Sequence, residues 1–192
     1  MADRYREYVA NSTDVMSSRE LLAPLLPESD LSSTVLTNAE IAIAGSPSPY
    51  EPYYAVEEAL KRPGPSGRVR MYVPAFTNPH GLELAQEMAA ELSVEGVFSD
   101  ELLAELRDDF PEELEASFEL ERFTGYRSTD GPEYTLVIAE SESRSEIVVV
   151  THTQERKLGG VIVNSDESAL RWAEQRYVEI RAEGERLDAV PG

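Results

Sequence analysis

The last third of the chain leaves the least freedom. Tyr134-Thr135-Leu136-Val137-Ile138-Ala139 and Ile147-Val148-Val149-Val150-Thr151-His152 are apolar runs of strand length, joined by the polar turn Ser141-Glu142-Ser143-Arg144. Gly160-Val161-Ile162-Val163 is a further run. A helix follows around Trp172, with Leu170, Ala173, Tyr177 and Ile180 at helical spacing. Asn164 or Ser165 is expected to cap it, and Asn164 with Glu167 resembles a capping box. Strands this close in sequence read as a meander, and the amphipathic helix must cover one face of it. Nothing in this stretch has the look of a catalytic centre.

Upstream, strands and helices alternate. Glu40 to Gly45 and Arg68 to Val73 read as strands, and Val94 to Ser99 as a third. A helix with Tyr53, Val56 and Leu60 on one face is closed by Pro63-Gly64-Pro65. Pro79 or His80 starts another, through Leu82, Ala85, Met88 and Leu92. Ser99 or Asp100 caps a third, and Pro111 opens a short fourth at a position where its missing N–H costs nothing. Leu120-Glu121-Arg122-Phe123 is expected to be a strand. The expected class is α/β: a mixed β-sheet flanked by helices, with an N-terminal helical arm. The arm covers 1–27, with Tyr5, Tyr8, Val9, Val15, Met16, Leu22 and Leu25 as its irregular apolar face; the α/β domain covers 28–192.

Charge narrows the function classes. Asp and Glu number 37 against 17 Lys and Arg, a net charge of −20, and only Lys61 and Lys157 are lysines. Self-repulsion of this size destabilises a compact state, and salt screens it, the Debye length being about 3 Å at 1 M. A salt-loaded cytoplasm is therefore the expected setting. No basic stripe is present to neutralise phosphates, which argues against nucleic-acid binding by this chain alone. There is no cysteine, which excludes disulfides, thiol nucleophiles and Cys-ligated zinc. No apolar run approaches the ~20 residues of a membrane span. Met1-Ala2-Asp3-Arg4-Tyr5-Arg6 is not followed by a signal-peptide core, so a cytoplasmic protein away from membranes is expected.

Candidate chemistry is sparse. His80 lies in Thr77-Asn78-Pro79-His80-Gly81, after a strand and opening a helix, a usual place for a ligand; a plain capping turn is the alternative. His152 ends a strand. His-x-Lys followed by Asp is the cue of phospholipase D-type phosphoryl transfer, but Gln154 stands where that lysine belongs. The first half holds no second His-x-Lys. Ser46 and Ser48 lie in no Gly-x-Ser-x-Gly elbow, and Gly159-Gly160 lacks the glycines and following helix of a phosphate loop. No compact ligand spacing supports a metal. Tyr50, Tyr53 and Tyr54 form an aromatic cluster that Tyr72, Phe76 and Tyr126 could join, as a ligand pocket or as core. Arg127 and Arg156, read as loop arginines, could hold a carboxylate or phosphate, or pair with surface glutamates. The candidate ligand-binding set is Tyr50, Tyr54, His80, Tyr126, Arg127, His152 and Arg156. No catalytic residue, metal site or cofactor is expected.

Several segments in order resemble a known family. They are Tyr5-Arg6-Glu7-Tyr8-Val9; Leu21-Leu22-Ala23-Pro24-Leu25-Leu26-Pro27; Leu36-Thr37-Asn38-Ala39-Glu40-Ile41-Ala42-Ile43-Ala44; and Phe98-Ser99-Asp100-Glu101-Leu102-Leu103-Ala104-Glu105-Leu106. Phe110-Pro111-Glu112-Glu113-Leu114, Gly160 to Asn164 and Trp172 to Tyr177 complete the set. Together they resemble the C-terminal effector domain of haloarchaeal winged-helix transcriptional regulators, the methanogenesis/filament regulator middle-domain family. The resemblance implies a domain that senses a small-molecule effector or dimerises, with DNA bound only through a winged helix preceding it and absent from this chain. It fixes no ligand and no pocket residue. A homodimer paired through the N-terminal helix is the expected assembly, a helix packed on its own domain being the alternative reading of that segment. The rival classes are a degenerate phosphodiesterase-like hydrolase and a stand-alone protein-interaction module.

Overall fold

The computed structural model describes residues 31–43, 51–61, 67–75, 81–153 and 157–187. The expected arm at 1–27 lies outside them. Among the described residues eight strands form one sheet: β1 (Glu40–Ile43), β2 (Arg68–Val73), β3 (Ser93–Ser99), β4 (Phe123–Ser128), β5 (Tyr134–Glu140), β6 (Ser145–His152), β7 (Leu158–Asn164) and β8 (Glu185–Leu187). Their order is β1-β7-β6-β5-β2-β3-β4-β8. β2, β3 and β4 run parallel, and every other pairing is antiparallel. The sheet is mixed and the class α/β, as the sequence implies.

Five α-helices are described: α1 (Glu51–Lys61), α2 (Gly81–Glu91), α3 (Asp100–Asp109), α4 (Pro111–Phe118) and α5 (Glu167–Glu183). The connections dictate their sides. β2-α2-β3 and β3-α3-α4-β4 are successive parallel crossovers stepping the same way along the sheet, so a shared hand puts their helices on one face. α5 links β7 to β8 across most of the sheet and covers the other face.

Each strand then feeds two cores. Val69, Met71, Val73, Val137, Val148, Val150, Val161 and Val163 point toward the α1–α4 side. Tyr72, Leu136, Ile138, Ile147, Val149 and Ile162 point toward α5, where Ala169, Ala173, Tyr177 and Ile180 meet them. The near-continuous apolar runs of β5 to β7 follow from burial on both faces.

The structure corrects three local expectations. Leu120 to Arg122 form a turn, and the strand begins at Phe123, so Arg127 belongs to β4 and not to a loop. Gly125 lets β4 lie close to α4: a Cβ there would stand 2.7 Å from the Phe118 ring. The N-cap of α5 is Asp166, with no side-chain cap bond. Asn164 instead accepts from the Asp166 N–H at 2.8 Å and donates to the Val35 and Thr37 carbonyls, both at 2.8 Å. It ties down the 3-10 turn Ser33–Leu36 that precedes β1. Asn38, in the left-handed region at φ 58°, adds a bond to Asp166 at 2.8 Å. β8, the polar tripeptide Glu185-Arg186-Leu187, has no signal in the sequence.

Candidate functional site

Two spaces open on the α1–α4 side and at one end of the sheet. The first is a chamber of about 320 Å³. α1 leans on β7 and β1, while α2 leans on β3 and α4, and the chamber lies between them. One wall is Tyr53, Val56, Glu57 and Leu60, the same stripe of α1 one turn after another. The opposite wall is Glu83, Leu84, Ala85, Glu87 and Met88 of α2. Met71 and Val73 of β2, Thr135 and Val137 of β5, Val150 of β6 and Leu158 of β7 make the floor.

The second is an acidic cleft of about 560 Å³. It lies where β2, β3 and β4 end, beyond the carboxyl ends of the parallel strands, where open α/β sheets bind ligands. Asp100, Glu101, Asp130 and Glu133 line it, with Ser99, Ser128 and His152. Ser99 donates to the Pro74 carbonyl at 2.8 Å and accepts from the Leu102 N–H at 3.1 Å, capping α3. Ser128 donates to the Asp130 carbonyl at 2.5 Å. His152 is buried, and its Nε2 meets Thr135 Oγ1 at 3.1 Å. Burial, reinforced by Asp130 and Glu101 against an opposing Arg176, pushes the Tyr72 hydroxyl up to about 12.

The two spaces adjoin. Ala75 lines both, and the Thr135–His152 bond joins a chamber residue to a cleft residue. Among the described residues no lysine or arginine lines either one. A phosphate in the cleft would face four carboxylates with no described cation in its wall. No group of three or more His, Cys, Asp or Glu among the described residues is placed to hold a metal.

The sequence candidates do not converge among the described residues. Tyr50, His80 and Arg156 lie outside them. Tyr54 is 63% exposed, and its neighbour Tyr53 lines the chamber instead. Tyr126 is buried on the α5 side beneath the Arg181 guanidinium, 3.5 Å from its ring centroid. Arg127 bridges Asp100 at 3.4 Å and Glu185 at 2.8 Å. Of the described members of the set, His152 alone lines the cleft. The sheet parts Tyr53 from Tyr72 and Tyr126, which overturns the single aromatic cluster. The chamber was missed because it depends on how far apart two helices stand. Its floor had a signal in the alternation of Thr135 and Val137 with inward Leu136 and Ile138.

The fold is shared with solved structures of low identity. A phospholipase D family member, Nuc from Salmonella typhimurium, superposes with a TM-score of 0.54 at 10% identity, over 79% of this chain and 99% of that one. Phosphatidylserine synthase from Haemophilus influenzae gives 0.51 at 16% identity, over 79% of this chain and 40% of its own. Polyphosphate kinase from Porphyromonas gingivalis gives 0.52 at 12% identity, over 92% and 27%. No curated protein matches the sequence. Residues 49–183 match the family model described as methanogenesis regulatory protein FilR1, middle domain. That match spans more than half of the sequence, from α1 to the end of α5, and the chain therefore belongs to the family of the FilR1 middle domain.

Proposed function

We propose that this domain is the ligand-sensing and dimerisation effector part of an archaeal transcriptional regulator. It couples a small molecule to a winged-helix DNA-binding domain. Family membership supports the regulatory setting. The chamber between α1 and α2 is the observation that carries the sensing role, because an apolar floor left open to solvent gains free energy from a matching apolar body. The mechanism is a population shift: the ligand favours one pairing of residues 1–27 between two copies, which sets the spacing of the attached DNA-binding units. Calorimetry and light scattering of the full chain against chemically grouped metabolites test it. Binding that Ala85→Phe abolishes and that moves the monomer–dimer equilibrium is expected. A bound form with the same oligomeric state as the free one would defeat the coupling.

A second reading, a degenerate phosphodiesterase-like hydrolase, draws on the shared fold and on His152 in the cleft. Gln154 in place of the lysine and the four cleft carboxylates weigh against it. Hydrolysis of bis-p-nitrophenyl phosphate that His152→Ala abolishes would establish it.

A further inference from the structure

Tyr72 is 2% exposed, with its ring in the core beneath α5. In the same core the Tyr177 hydroxyl donates to Glu95 at 3.0 Å. No described residue hydrogen-bonds the Tyr72 hydroxyl. That oxygen lies at the cleft instead: Tyr72 and Gly131 both line it, and a Cβ on Gly131 would collide with the Tyr72 Oη. Buried tyrosine hydroxyls are ordinarily hydrogen-bonded, so this one takes its partner from the cleft.

The field at the oxygen selects the kind of partner. After burial, the Asp130 carboxylate is the largest influence on the hydroxyl, and Asp130 with Glu101 outweighs Arg176. Negative potential there favours a proton donor over an acceptor. Asp130 and Glu133 flank Gly131 on the loop between β4 and β5, and both are exposed in the cleft wall. Neither forms an ion pair among the described residues, whereas Asp100 pairs with Arg127 and Glu101 has a partner of its own.

We propose that the cleft binds a small organic cation that donates N–H hydrogen bonds, a guanidinium or a primary ammonium. One N–H lies on the Tyr72 oxygen, and the charge lies beside Asp130 and Glu133. This is a second site next to the chamber, and it does not depend on the sensing role given to the chamber. The cleft volume falls within the ~300–1,000 Å³ common for small-molecule sites.

Three probes separate charge from N–H donation. Methylguanidinium carries both, N-methylurea has the donors without the charge, and tetramethylammonium has the charge without the donors. Each is titrated into the isotope-labelled full chain at one fixed ionic strength, and the amide resonances are followed. Methylguanidinium is expected to shift the amides of residues 99–101 and 128–133 saturably, with roughly tenfold higher affinity than either other probe. Tyr72→Phe gives up no described hydrogen bond and is expected to lower that affinity about three- to tenfold, as is Asp130→Asn. Asp108→Asn, the same charge change near the other end of α3, is expected to leave it unchanged. Equal binding of tetramethylammonium, or binding indifferent to either cleft variant, is counterion binding to an acidic surface and overturns the proposal. Tighter binding of N-methylurea overturns it too, as does the absence of any saturable shift with methylguanidinium. Should Tyr72→Phe not fold, Asp130→Asn decides alone by the same readout. The sensing role of the chamber is judged separately, by the metabolite titration above.

Discussion

Arg70 sits where an arginine is hardest to keep, on β2 beneath α5 with its side chain 9% exposed. Burial opposes its charge, but Glu174 and Glu140 outweigh burial and raise its pKa. Nη1 donates to Glu174 at 2.7 Å and Nε to Glu140 at 3.0 Å, while Nη2 reaches both carboxylates. The planar fork serves two acids at once, which an ammonium cannot reproduce. Arg70→Met is expected to cost about 2 kcal/mol, below the range for fully buried pairs because both glutamates are part-exposed, and Arg70→Lys is expected to recover only part of it. Urea unfolding of the three proteins measures this. Nearby, burial and then Glu95, which accepts from the Tyr177 hydroxyl at 3.0 Å, push that hydroxyl well above its ordinary value; burial pushes Tyr72 to about 12. The folded state holds both protons more tightly than the unfolded chain, whose tyrosines titrate near 10. Their stabilisation is complete below pH 10 and falls as the pH rises above it, for Tyr72 through about 12 and for Tyr177 further still. The thermal midpoint is expected to fall over that window, with a shallower fall in Tyr72→Phe.

At the scale of elements, Asn164 does what a cap was expected to do elsewhere. Its two N–H bonds hold the segment before β1 against the start of α5. Asn164→Ala leaves the buried Val35 carbonyl without this donor and is expected to cost about 1–3 kcal/mol. Hydrogen exchange is expected to rise first in residues 33–43. The helices and β2, β3, β5, β6 and β7 were legible because their apolar periods are long and their ends are marked by Ser99, Pro111 or polar turns. β4 was not: Thr124, Gly125 and Ser128 break the pattern, and the strand is held by pairing with β3 and by the Phe98, Phe118 and Phe123 rings. β8 exists through its pairing with β4, a contact the sequence does not announce. Of the site, His152 was legible as a strand-end residue. Glu83 and Glu87 have no signal in the sequence, because they line the chamber only through the position of α1 opposite α2.

The whole molecule carries a charge of −20, and several of its described ion pairs lie between exposed groups. Such pairs add little each, so the sum is dominated by repulsion that salt relieves. Urea unfolding at ~0.1 M and ~2 M KCl is expected to show higher stability in the concentrated salt, well beyond any gain seen for a near-neutral domain of this size. No gain would mean that the carboxylates are spaced widely enough to be indifferent to one another. Among the described residues no helix is long and apolar enough to cross a membrane.

The sheet order also sets a timetable. β1 pairs with β7, Glu40 opposite Val163, so β1 has no neighbour in the sheet until β7 has been made. β2 likewise waits for β5, whereas β2, β3 and β4 can join through their own crossovers. The nascent chain therefore carries the unpaired Glu40-Ile41-Ala42-Ile43 edge from the synthesis of β1 to that of β7. A ribosome that stalls before β7 releases that edge to whatever other strand it meets first.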